Sequence, residues 1–202
     1  MSAALRPELE IISEWIKPGS RVLDLGCGDG TLIKYLQEHR EVSGYGLEID
    51  PENVVKCIQN GVDVIQTDLD NGLSDYFDDA SLDYVVMTQT LQAMHFPGWM
   101  LKEMLRVGRE GIVTFPNFGH WRHRLQLMLG GRMPKSPVLP DEWFDTPNIH
   151  LCTFRDFEEL CRREEIRIIE RCVADHRHRS GLGMSLLPNL LGEVAIYRFT
   201  KG

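Results

Sequence analysis

The residues best suited to chemistry form the run Asp24-Leu25-Gly26-Cys27-Gly28-Asp29-Gly30. Alternating glycines let a backbone turn sharply and let a ligand approach it closely. Two cofactor classes use such a loop. A dinucleotide site wants Gly-x-Gly-x-x-Gly, with its pyrophosphate on a helix N-terminus. Counting from Gly26 puts the third glycine at Thr31, and counting from Gly28 puts it at Ile33, so neither register fits. A carboxylate at Asp24 would repel a pyrophosphate and suits a ligand carrying an ammonium or a sulfonium. Glu48 stands 20 residues past Gly28, where an acid can accept hydrogen bonds from both hydroxyls of a ribose. Asp68 can accept from an exocyclic adenine amine, and Ile49 and Leu69 can sandwich a flat base. Alone, either of the last two acids reads as a solvated strand end. Jointly the three acids describe a phosphate-free, cationic nucleoside. S-adenosylmethionine, or its product S-adenosylhomocysteine, has that description.

These residues need elements that bring them to one edge. Arg21–Leu25 is a short apolar run without alternation, as expected of a strand buried on both faces. It enters the glycine run directly, and a helix with Leu32, Ile33 and Leu36 inward follows. Strands are expected at 42–49, 62–66, 82–87 and 111–115, with helices at 7–16, 51–60 and 99–106 between or before them. This alternation predicts an α/β doubly wound, Rossmann-like parallel sheet with helices on both faces. Glu48 and Asp68 then fall at strand C-terminal ends, the edge where open α/β sheets bind ligands. After Phe115 the pattern changes. Residues 116–152 carry five prolines and read as an irregular insertion over the ligand edge, with one helix at 120–129. Thr153 reads as the N-cap of a helix over 154–164, with Asp156 three residues on. Arg167–Val173 and Glu193–Thr200 supply the last two of seven strands.

The second half holds further candidates. Asn117, Trp143 and His150 flank or lie within the insertion and are candidate substrate or partner contacts. Each could equally satisfy loop backbone groups. His120 and His123 stand one helical turn apart in His120-Trp121-Arg122-His123-Arg124. That run can be a cationic rim for an anionic substrate or partner, or a solvated helix face. A metal site would want a third ligand, and none is spaced beside them. The polar run Asp175–Arg179 reads as a solvated loop. Leu182–Leu191 is too apolar to be wholly exposed, and core packing is the expectation, with a partner surface as the alternative.

Composition bounds the function. The chain has 202 residues, 43% of them hydrophobic and 26% charged, which suits one folded domain spanning 1–202. A net charge of −8 argues against a nucleic-acid partner. Residues 1–101 hold six Lys/Arg against seventeen Asp/Glu, and residues 102–202 sixteen against thirteen, so the acidity belongs to the ligand-binding half. Five cysteines without a CxxC fit reduced thiols, and no targeting or membrane-spanning run is evident, so a cytoplasmic protein is expected. No Walker-type phosphate loop and no Ser/His/Asp pattern marks another chemistry.

The segments VLDLGCGDG (22–30), GLEID (46–50) and QTDL (66–69) resemble the motifs of class I S-adenosylmethionine-dependent methyltransferases over about residues 20–115. A fuller resemblance, to the MetW family of methionine biosynthesis, rests on VVMTQTLQAMHFP (85–97), EMLRVGREGIVTFPNFGHWRHR (103–124), TPNIHLCTF (146–154) and LLPNLLGEVAIYR (186–198). The resemblance implies that Asp24, Gly26, Gly28 and Gly30 line the methionine part of the cofactor. It gives Glu48 to the ribose and Asp68 with Leu69 to the adenine, and puts Gln89 near the methionyl end. It also implies homoserine O-acyltransferase as a partner. An accessory or regulatory role, an ordinary methyltransferase and a non-catalytic S-adenosylmethionine sensor all stay open. Methyltransferases of the ubiquinone-biosynthesis type often carry a histidine where this chain has Ala93, with His95 two residues later. That departure leaves no general base, and no catalytic residue, to assign.

Overall fold

The computed structural model describes residues 6–174 and 186–202. Its centre is a seven-stranded sheet in the order β3-β2-β1-β4-β5-β7-β6. In chain order the elements are α1 (Pro7–Trp15), β1 (Arg21–Leu25), α2 (Thr31–Arg40), β2 (Ser43–Glu48), α3 (Pro51–Gln59) and β3 (Asp63–Gln66). There follow β4 (Leu82–Thr88), α4 (Pro97–Val107), β5 (Gly108–Pro116), α5 (Trp121–Gly130), α6 (Phe154–Arg163), β6 (Ile166–Ala174), α7 (Pro188–Leu191) and β7 (Val194–Lys201).

The five strands β3-β2-β1-β4-β5 are parallel. β1 pairs with β2 on one side and β4 on the other, so the strand order reverses around it. Open α/β sheets bind ligands beyond the C-terminal strand ends at such a switch point, and the glycine run lies on its β1 side. Two apolar layers hold the sheet. On one face Val22, Val86, Ile112 and Ile196 pack with Leu9 and Ile12 of α1, with Ile16 at its C-cap, and with Leu32, Ile33 and Leu36 of α2. On the other, Leu23, Val85, Val113, Phe115 and Tyr197 pack with α4 and α6 through Met100, Met104, Phe154 and Phe157. Burial on both faces is why β1 reads as an unbroken apolar run.

The seven-stranded doubly wound sheet is the expected one, and its last strand departs from the parallel pattern of the first five. β7 lies between β5 and β6 and runs antiparallel to both. An antiparallel pair needs no crossover helix, and β7 inserts between β5 and β6. β6 becomes the edge, where Arg167, Glu170 and Arg171 are exposed, a charge pattern that discourages further strand pairing. β5 starts at Gly108, three residues earlier than expected, because α4 runs straight into it. Thr153 and Asp156 form the expected reciprocal cap of α6. The expectation that 182–191 packs as core is corrected where it can be seen. Leu186 is 80% and Leu187 56% exposed. Leu182, Met184 and the polar run Asp175–Arg179 lie outside the described residues.

Candidate functional site

β1 holds Asp24 two residues before the first glycine of the run, where it is 1% exposed. Its Oδ1 has no hydrogen-bond partner among the described residues. Burial raises its pKa to about 7, opposed by the charge of Arg6 and assisted by that of Glu48. An acid held this way gains from a cation placed against it.

The glycines above it are built for a close approach. Gly26, Gly28 and Gly30 have φ of 70°, 58° and 78°, the left-handed region that other residues resist. A side chain at Gly26 would meet Thr90, and one at Gly30 would meet Cys57 and Val62. At Gly28 nothing lies within 4 Å, so this glycine faces open space. Its carbonyl accepts from Cys57 Sγ at 3.1 Å. Cys27 and Cys57 touch beneath the loop, with their sulfurs 3.7 Å apart.

Glu48, at the end of β2, closes the loop from the other side. Its Oε2 accepts from the Gly28 amide at 2.7 Å, and its Oε1 accepts from the amides of Ile49 and Asp50 at 3.0 and 2.9 Å. Ile49 is 60% exposed beside it. Asp68 lies just past β3 and caps a short 3-10 turn by accepting from the Asp70 amide. Leu69 is buried at the start of that turn. Gln89, directly after β4, has a φ of 52°. Its amide donates to Thr114, and its Nε2 donates to Glu8 Oε1 at 3.1 Å.

Glu8 and Arg6 are residues that sequence reasoning missed. Glu8 is buried, pairs with Arg6 at 3.2 Å and reaches Gln89 from 81 positions away. A buried acid in a first helical turn carries no sequence signal, because such acids ordinarily face water and favour the helix dipole. Cys57 and Thr90 were missed for the same reason, since each matters only through a distant glycine.

The later candidates separate from this group. Asn117 is fully buried, donates to the carbonyls of Asn189 and Gly192 and accepts from the Gly119 amide. It ties the end of β5 to the segment before β7. His120 and His123 are buried rather than arrayed as an exposed rim or a solvated helix face. His123 Nδ1 contacts the Asn117 carbonyl at 3.2 Å and Nε2 the Ser136 hydroxyl at 3.0 Å. Burial lowers its pKa and keeps the ring neutral. Trp143 is exposed on the insertion, and His150 is exposed with its amide donating to the Gln92 carbonyl. His95 is exposed and bonded to Asp70 through Nδ1 at 2.5 Å. Among the described residues, no three His, Cys, Asp or Glu side chains converge as a metal-binding group, and no helix is long and apolar enough to cross a membrane.

The model of the family described as "Methionine biosynthesis protein MetW" matches residues 6–199. The chain belongs to the MetW family. Its relative in Rhodopirellula baltica, the bifunctional methionine biosynthesis protein MetXA/MetW, is 36% identical over 98% of the chain. The MetW chain spans 33% of that relative's length, so the match is to one part of a larger protein. Among solved structures, an S-adenosylmethionine-dependent methyltransferase from Aquifex aeolicus aligns with a TM-score of 0.63 at 18% identity, over 100% of this chain and 95% of its own. Phosphoethanolamine N-methyltransferase 2 of Haemonchus contortus, solved with S-adenosyl-L-methionine, aligns with a TM-score of 0.69 at 13% identity, over 96% of this chain and 52% of its own. The chain therefore has the fold of these methyltransferases, with β7 antiparallel to β5 and β6 as described.

Proposed function

We propose that this MetW-type protein binds S-adenosylmethionine and supports a homoserine O-acyltransferase in methionine biosynthesis. The observation that carries the ligand is Asp24, whose buried Oδ1 has no hydrogen-bond partner among the described residues. A cationic methionyl group supplies that partner, and the open face of Gly28 leaves room for it. Asp24, Gly26, Gly28 and Gly30 would hold the methionyl end, Glu48 the ribose, and Ile49, Asp68 and Leu69 the adenine. Glu48 enters pre-oriented, because three backbone amides already fix its carboxylate. When bound, S-adenosylmethionine supplies an electrophilic methyl group. Support for the acyltransferase link is the MetXA/MetW relative, in which a MetW part shares one chain with MetXA.

A second reading, ligand sensing without turnover, is favoured by Glu8 and Gln89. Gln89 spends its side-chain donor on a buried carboxylate of α1, so ligand at the methionyl end would be felt by that helix. A methyltransferase acting on a small acceptor is the remaining alternative, and Asn117, His120, Trp143 and His150 remain its acceptor or partner candidates.

Calorimetry with S-adenosylhomocysteine tests the ligand. Gly28→Val forces a branched residue to positive φ and fills the open face, and we expect at least a tenfold loss of affinity with the fold retained. Unchanged affinity would place the ligand elsewhere. The acyltransferase assayed with and without this chain tests the partner. An unchanged rate and no complex would remove that half of the proposal.

A further inference from the structure

From the partner reading above, we infer that α5 and the insertion beside it form the docking surface for the acyltransferase. The inferred partner face is apolar with an acidic rim. The helix is unusual for a surface element. Only His123 among its residues is buried. Met128 is 71% and Leu129 78% exposed, and Leu125 and Leu127 are also exposed. An amphipathic helix would turn such residues inward, but α5 is apolar on its outer side as well.

The apolar surface extends beyond the helix. Leu125, Leu129 and Met133 line one open groove, and Met133 also lines a second together with Trp143 and Leu151. The two grooves therefore meet at Met133. Exposed, contiguous apolar surface of this kind marks an interaction site.

Charge selects the occupant. From Gly111 to Pro140 the chain has Arg122, Arg124, Arg132 and Lys135 and no acid. Lys135 pairs with Glu142 at 2.7 Å, and Glu142 and Asp141 line the second groove, so the uncompensated cations are the arginines of and beside α5. A two-fold contact of α5 with itself would set these cations against their own copies. A separate protein with acids around an apolar patch meets the surface without that conflict. Arg122 lies 5.4 Å from the Trp121 ring centre, and neither Arg122 nor Arg132 has an acidic partner among the described residues. Both cations are therefore available to a partner's rim.

The test uses the full chain and the homoserine O-acyltransferase of the same organism, with binding measured by interferometry. Met128→Glu and Leu129→Glu are each expected to weaken the complex more than tenfold, and Arg122→Glu with Arg132→Glu to weaken it and flatten its salt dependence. All four substitutions should leave S-adenosylhomocysteine affinity unchanged, which shows that the fold persists. Wild-type binding with unaltered variants would overturn the surface while leaving the partner reading intact. No wild-type binding would overturn the partner reading and this inference with it. Sedimentation adds a third arm. A wild-type dimer that Met128→Glu dissolves would assign the face to a second copy and overturn the inference.

Discussion

Asp24 concentrates the chemistry of this protein in one buried carboxylate. Its acidity follows from its place in the fold. Burial disfavours the ionised form and raises the pKa from the ordinary 3.8 to about 7. A raised acid pKa means the folded state holds a proton between those values that the unfolded state releases. Its effect on stability is therefore neutral below pH 3.8, grows more unfavourable as pH rises to about 7, and is constant above. Asp24→Asn should raise the Tm of the ligand-free protein at pH 8 and have little effect below pH 4. The rise corresponds to an upper bound of about 4 kcal/mol. The same variant should bind S-adenosylmethionine at least tenfold more weakly, and wild-type affinity should fall as pH drops below about 7. A variant that keeps its affinity and shows no pH-dependent gain in Tm would refute this account of Asp24. The residue's type and place after an apolar strand were legible from the sequence. Its unpartnered oxygen was not, because that depends on what the rest of the chain leaves out.

At the level of elements, local signals were strong where the chain closes its own hydrogen bonds. The α6 cap is one case. Thr153 accepts from the Asp156 amide, and Asp156 accepts from the Thr153 amide and hydroxyl. Two residues three positions apart determine that arrangement, so spacing alone exposes it. Thr153→Ala should cost about 1 kcal/mol, read as a lowered urea midpoint with an unchanged slope. α1 is the contrary case. Its apolar spacing over Leu9, Ile12 and Ile16 announced a helix, but not that Glu8 would turn toward Gln89. α5 is another. Its sequence announced a helix near His120–Leu129, yet its histidines went inward and its leucines outward. A helix with apolar and cationic residues on every side has no preferred face until its neighbours are placed.

Across the whole molecule, the parallel half is the part a sequence pattern can reveal. Each βα unit repeats the same apolar strand and amphipathic helix, and each strand end then falls on one edge. Asp24, Glu48 and Asp68 were legible as neighbours for that reason. The seam between β5 and β7 was not legible in the same way. There Gly111 opposes Phe199, and a Cβ on Gly111 would run into the Phe199 ring. The ring is fully buried, so the sheet itself would have to shift. Gly111→Ala should destabilise the fold by about 1–3 kcal/mol, measured by chemical denaturation, with the ligand site untouched. An unchanged midpoint would mean that the seam yields freely. By itself the sequence determined the glycine turn, the strand-end acids and the alternation of elements, because each depends on residues close together in the chain. Tertiary structure alone decided the reversed direction of β7, the raised pKa of Asp24, the approach of Glu8 and the outward face of α5. Each of those depends on packing between segments far apart in sequence, and burial is a property no single segment contains.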